Sequence, residues 1–89
     1  MRTIERHKHF EKNFHTRIAS DPKLVKQFEE RLLLFIEGVS NYPVYDHSLG
    51  GKLTGKRAFS IAGDVRVVYK IVDGVCIFVD IGSHNQVYK

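Results

Sequence analysis

Eighty-nine residues can fill one hydrophobic core but not two, so a single domain over residues 1–89 is expected. Hydrophobic residues make up 43% of the chain and charged residues 27%, the balance of an ordinary globular protein rather than a disordered or fibrous one. The net charge of +4 is compatible with a polyanionic partner, and no apolar run of about eighteen residues is present to cross a membrane.

Residues 2–7 alternate Ile4 with charged neighbours and read as a short edge strand; they lack the apolar stretch of a secretory leader. From His9 the spacing becomes helical, with Phe10, Phe14 and Ile18 recurring every fourth residue. Ser20-Asp21-Pro22 stops that helix and starts the next, Asp21 as the N-cap and Pro22 as the first helical residue. Leu24, Val25, Phe28, Leu32, Phe35, Ile36 and Val39 then form one apolar stripe, ended by Gly38 or by Ser40-Asn41. Leu33 and Leu34 lie off the stripe, either as a second contact surface or as simply exposed leucines.

Tyr42-Pro43-Val44-Tyr45-Asp46 reads as a connector, and Gly50, Gly51 and Gly55 make the following segment turn-rich. Three strands are predicted over 56–62, 65–72 and 75–82, separated by Ala62-Gly63-Asp64 and by Asp73-Gly74. A last short strand is predicted over 85–88. The fold class is therefore α+β, with two helices packed on a mainly antiparallel sheet. The lone Cys76 sits in the apolar run Val75-Cys76-Ile77-Phe78-Val79 and reads as a core residue; with no disulfide available, a cytoplasmic location is expected.

Charge is unevenly spread. The first forty residues mix eight Lys or Arg with six Asp or Glu, whereas residues 47–70 carry Lys52, Lys56, Arg57, Arg66 and Lys70 against Asp64 alone. Such a concentrated patch is the better footprint of nucleic acid. Strand alternation puts Val65, Val67, Tyr69 and Ile71 on the core side of their strand, and Arg66, Val68, Lys70 and Val72 on the open face. In the predicted last strand, His84, Gln86 and Tyr88 share one side. Metal-free RNA cleavage needs a base for the ribose 2′-OH, an acid for the leaving oxygen and cations for the developing charge. His47 and His84 have the right chemistry for the first two roles, although from the residues alone a surface or loop histidine with a hydrogen bond is the commoner case. Asp64 also fits ordinary turn chemistry, and Arg57 and Arg66 also fit surface ion pairs. His7, His9 and His15 read as solvent-facing, and His7-x-His9 lacks the further ligands of a metal site. No cofactor motif is present.

One framework goes further: His47-Ser-Leu-x-Gly-x-Leu-x-Gly-x-Arg57-x-Phe-x-Ile-x-x-Asp64-x-Arg66-x-x-Tyr69, followed by Gly82-Ser-His84 and Tyr88. It resembles the RelE/ParE superfamily of bacterial toxin–antitoxin toxins, most closely the YafQ-like branch of messenger-RNA endonucleases. The resemblance implies a microbial-RNase-like fold, cleavage of mRNA in the ribosomal A site, and neutralisation by a cognate antitoxin in a toxin–antitoxin hetero-oligomer. It implies metal-independent attack of the 2′-OH on the adjacent phosphate. His47 and His84 would be the acid/base pair and Asp64 a third protic or orienting group. Arg57 and Arg66 would bind phosphate, Lys52, Lys56 and Lys70 would position it, and Tyr88 would stack on or orient the nucleotide. Where the branch has a third histidine, this sequence has Ser60. Two alternatives share the fold: a ParE-like inhibitor of gyrase that cleaves no RNA, and a degenerate homologue that only binds RNA or antitoxin.

Overall fold

The computed structural model describes residues 1–88. Its elements are β1 (Thr3–Arg6), α1 (Lys8–Arg17), α2 (Pro22–Ile36), β2 (His47–Ser48), β3 (Arg57–Ala62), β4 (Val65–Val72), β5 (Val75–Gly82) and α3 (His84–Val87), with a one-turn 3-10 helix over Gly51–Leu53. The five strands form one sheet in the order β1-β5-β4-β3-β2. Pairing is antiparallel throughout except between β1 and β5, which run parallel, so the sheet is mixed.

Local chemistry explains most boundaries. His7 caps α1, its Nδ1 accepting from the His9 backbone. The Asp21 carboxylate accepts from the backbone of Lys23 and Leu24, and Pro22 opens α2 without forfeiting a hydrogen bond. Beyond α2 the chain turns at Gly38, whose φ of 101° suits glycine. At the β4–β5 turn both Asp73 and Gly74 take positive φ, the requirement of a tight hairpin that matches strand twist.

Helices α1 and α2 cover one face of the sheet. Phe10, Ile18, Phe28 and Phe35 from the helices meet Phe59, Ile61, Val67, Tyr69, Phe78 and Ile81 from the strands, all 2% exposed or less. Phe35 stacks on Phe59 at 4.3 Å, and Phe10 lies 5.3 Å from Phe78. Leu34 packs against this core, whereas Leu33 is 64% exposed and lines an apolar groove with Phe14, Val25, Phe28 and Leu32. Cys76 is buried in the core, and that burial pushes its thiol pKa up.

The C-terminal segment differs from expectation. Residues 84–87 form a helix rather than a strand, because Ser83 and Gln86 close a capping box. The Ser83 hydroxyl accepts from Gln86 N at 3.3 Å, while Gln86 Oε1 accepts from Ser83 N at 2.7 Å. This helix also closes part of the face expected to be open. Val87 packs with Ala58 and Val68 in a second small cluster, and Val68 is 1% exposed. Ile71, assigned to the core by alternation, is 56% exposed near the hairpin tip.

Candidate functional site

The polar groups gather on the sheet face away from α1 and α2, at the end not covered by α3. Ser60 on β3 and Arg66 on β4 are directly opposed, and His47 on β2 is paired with Ala58. A register shift between Ser60 and Ala62 falls beside this group, where a bulge re-aims side chains. His47, Ser60 and Arg66, with Tyr45 and Gly63, line an open cavity of about 180 Å3.

His47 is exposed, but its ring is held: Nδ1 lies 2.8 Å from the Tyr45 carbonyl oxygen. A carbonyl oxygen only accepts, so Nδ1 carries the proton, and in the neutral ring Nε2 is left as the acceptor. Arg66 donates from Nε to the Asp64 carbonyl oxygen at 3.3 Å, and its Nη2 sits 3.6 Å from the Asp64 carboxylate. Because Asp64 is exposed on its turn, this pair is loose and leaves the guanidinium free to engage an anion. The Arg66 guanidinium carbon also lies 5.6 Å from the Tyr88 ring centroid. Tyr88 in turn meets His84, with ring centroids 4.4 Å apart. Those two rings meet because α3 is helical and they stand four residues apart, not because they share a strand face.

The result is a row of His47, Arg66, Tyr88 and His84. Its two histidines sit at opposite ends. They are carried by β2, at the edge of the sheet, and by α3, which follows β5, the third strand from β2. Lys52 joins Tyr88 in a neighbouring cavity of about 180 Å3, also lined by Gly50, Leu53 and Val87. Lys70, half-buried, has the open-face parity of β4 one residue beyond Tyr69, and half-buried Lys56 immediately precedes β3.

Arg57 goes the other way. It shares strand parity with Phe59 and Ile61, so it points to the helix side. Its Nε lies 3.2 Å from both the Tyr69 hydroxyl oxygen and an Asp46 carboxylate oxygen, while the Tyr69 hydroxyl donates to the same Asp46 oxygen at 2.7 Å. The hydrogen bond to Tyr69, with Asp46 beside it, raises the Arg57 pKa above its usual value. Burial, reinforced by the bond to Asp46, raises that of Tyr69. Arg57, expected to bind phosphate, is thus held by Asp46 and Tyr69 on the helix side of the sheet. His7, His9 and His15 are exposed, and no group of three metal-ligating side chains forms among the described residues.

A family model for bacterial toxins of type II toxin–antitoxin systems, YafQ, matches residues 2–89. The chain belongs to the YafQ toxin family. No curated protein sequence matches it. Among solved structures it is similar to YafQ from Escherichia coli at 21% identity, with all of both chains covered and a TM-score of 0.80. It is likewise similar to E. coli YafQ in the DinJ–YafQ complex, at 22% identity over all of both chains with a TM-score of 0.79. A metal-bound toxin from Helicobacter pylori is 29% identical, over 97% of this chain and 98% of that one, with a TM-score of 0.70.

In this YafQ-family toxin, Ser60 occupies the cavity wall where the third histidine was expected, so that wall keeps a hydroxyl in place of an imidazole. Tyr45 and Asp46 escaped the sequence reading, because proline and lost periodicity marked their segment as a connector. Their signal was a tyrosine and an acid immediately before His47. Gly82, which leads into α3, has no room for a side chain: a Cβ there would stand 2.6 Å from Gln86 Oε1 and 2.9 Å from Arg17 Nη1. Gly82→Ala is expected to displace Gln86 from the capping box and to lower stability by about 1 kcal/mol in urea unfolding. An unchanged midpoint would mean that both side chains yield at no cost.

Proposed function

We propose that this toxin is a metal-independent endoribonuclease that cuts mRNA in the ribosomal A site. The observation that supports this most is the row itself, in which a cation and an aromatic ring stand between two exposed histidines. In the proposed reaction, His47 Nε2 takes the proton of a ribose 2′-OH. The freed oxygen attacks the adjacent phosphorus, and the bond to the 5′ oxygen breaks as His84 donates a proton to that oxygen. Products are a 2′,3′-cyclic phosphate and a 5′-OH. Arg66 neutralises charge on the phosphorane, Asp64 orients Arg66, and Tyr88 stacks on the nucleotide beside His84. Lys52, Lys56 and Lys70 hold flanking phosphates. We give the base role to His47, a choice supported by the Tyr45 carbonyl, which holds a proton on Nδ1 and leaves Nε2 of the neutral ring as an acceptor.

A cognate antitoxin is the proposed protein partner, supported by the DinJ–YafQ complex among the similar structures. Among the described residues, no helix is long and apolar enough to cross a membrane, in keeping with a cytoplasmic target. The test is to supply the purified protein with programmed ribosomes and to map the mRNA ends and their chemistry. Cleavage within the A-site codon, leaving a 2′,3′-cyclic phosphate and a 5′-OH, is expected. Intact mRNA together with inhibited gyrase supercoiling would replace this reading with the ParE-like one.

A further inference from the structure

Tyr45 and Tyr42 form an exposed aromatic pair beside the row, and nothing in the reaction so far uses their rings. Tyr45 is 57% exposed and Tyr42 75%, yet their rings meet edge to face with centroids 5.8 Å apart. Tyr45 lines the cavity with His47, Ser60 and Arg66. Exposed phenol rings in contact with each other, at the mouth of a basic cavity, present flat faces of the kind on which unpaired bases stack.

The backbone shows why the ring stays outside. Val44 is fully buried, and its carbonyl oxygen accepts from Ser60 N on β3 at 2.8 Å. Asp46 has a side chain only 5% exposed, locked into the contacts with Arg57 and Tyr69, and its amide donates to the Ser40 carbonyl oxygen at 2.9 Å. With both neighbours anchored inward, Tyr45 has no apolar site to enter. Its φ is 51°, a conformation that a bulky side chain seldom adopts and that is held only where the surroundings over-determine it. Its amide donates to the Asn41 carbonyl oxygen at 3.0 Å, and its own carbonyl fixes the His47 ring. One residue thus couples an outward aromatic ring to the orientation of His47.

We infer that Tyr45, buttressed by Tyr42, is the stacking platform for the base of the nucleotide whose 2′-OH attacks. This rests on the nuclease reading above and adds a second base subsite to it. Tyr88 stands beside His84 and takes the nucleotide on the leaving side; Tyr45 stands beside His47 and takes the one on the attacking side. Stacking tolerates any base but is stronger for the larger purine ring, so Tyr45 contributes a purine preference at that position.

The test has a binding arm and a cleavage arm. The chain has no tryptophan, so Tyr45→Trp supplies a unique fluorophore at the subsite. Titration with a short RNA carrying a 2′-deoxy sugar at the attacking nucleotide, which cannot be cut, is expected to quench its emission. In cleavage, Tyr45→Ala is expected to raise KM about tenfold or more and to flatten the purine preference, while Tyr45→Phe restores both. Thermal midpoints should match the wild type, since the ring is exposed. Quenching by the uncut RNA in a protein whose wild type cleaves nothing would uphold the subsite and sink the nuclease reading. Normal cleavage with the same KM and base preference in wild type, Tyr45→Ala and Tyr45→Phe would overturn the subsite and leave the nuclease standing.

Discussion

Replacing His84 by alanine is expected to slow RNA cleavage by about 10²- to 10⁴-fold, the usual contribution of a positioned proton donor. His84 is exposed, and the capping box that holds α3 is made by Ser83 and Gln86, so the variant should fold normally. His47→Ala should cause a loss of similar size for the opposite reason, a missing base. The two are separable by substrate chemistry. With a sulfur in place of the bridging 5′ oxygen, the leaving group departs as a thiolate and needs no proton. His84→Ala should then recover most of its lost rate, whereas His47→Ala should not. Equal recovery in both variants, or in neither, would contradict the assignment of base to His47 and acid to His84. Full activity of His84→Ala on the ordinary substrate would remove the histidine from the mechanism altogether.

The central strands were legible because local signals agreed with one another. Alternating residues between turn-forming Gly63-Asp64 and Asp73-Gly74 gave bounds over 65–72 and 75–82 that match β4 and β5, and 56–62 missed β3 by one residue. Helix α2 was equally plain, since Asp21, Pro22 and the apolar stripe all point the same way. Errors arose where a distant element decides the outcome. Val68 has the parity of an open-face residue, yet α3 folds back over it. Reading 85–88 as a strand weighed alternation above the Ser83-x-x-Gln86 pattern, which is the local mark of a helix start. The consequence was not benign: a strand would put His84 and Tyr88 on one face but about 13 Å apart, and only the helical turn brings their rings together. The two-residue β2 leaves no periodicity to detect, because its position comes from pairing with Arg57 and Ala58.

Arg57 has partners that its sequence context did not reveal, and they lead to the largest effect expected on stability. Its basic neighbours suggested phosphate, while its true partner, Asp46, lay in a stretch read as connector. The Asp46 carboxylate accepts from the Tyr69 hydroxyl at 2.7 Å and from Arg57 Nε at 3.2 Å, with Arg2 Nη2 at 3.6 Å. Its side chain is 5% exposed, so water cannot replace it. Asp46→Ala would strand the Tyr69 hydroxyl and leave Arg57 and Arg2 without their anion. Arg2 would keep its Nη2 bond to the Ser40 hydroxyl at 3.0 Å, but its guanidinium sits 4.2 Å from the Phe35 ring centroid and its Nη1 is already buried without a partner.

Losing the shared acceptor of this partly buried set is expected to cost about 1–3 kcal/mol, a large share of a small domain's stability. Urea unfolding of Asp46→Ala should show a loss of that order, and Asp46→Asn a smaller one because an acceptor oxygen remains. A loss below about 1 kcal/mol in Asp46→Ala would mean that the carboxylate's attraction only balances its own desolvation. Adding Tyr69→Phe to Asp46→Ala should recover part of the loss, because the hydroxyl that would be left unsatisfied is then gone. The site should respond as well. Asp46 anchors the turn that presents Tyr45 and fixes His47, so Asp46→Asn should lose cleavage rate even at temperatures where it remains folded. A catalytic loss that tracks only the unfolded fraction would show instead that Asp46 holds the fold without tuning the histidine.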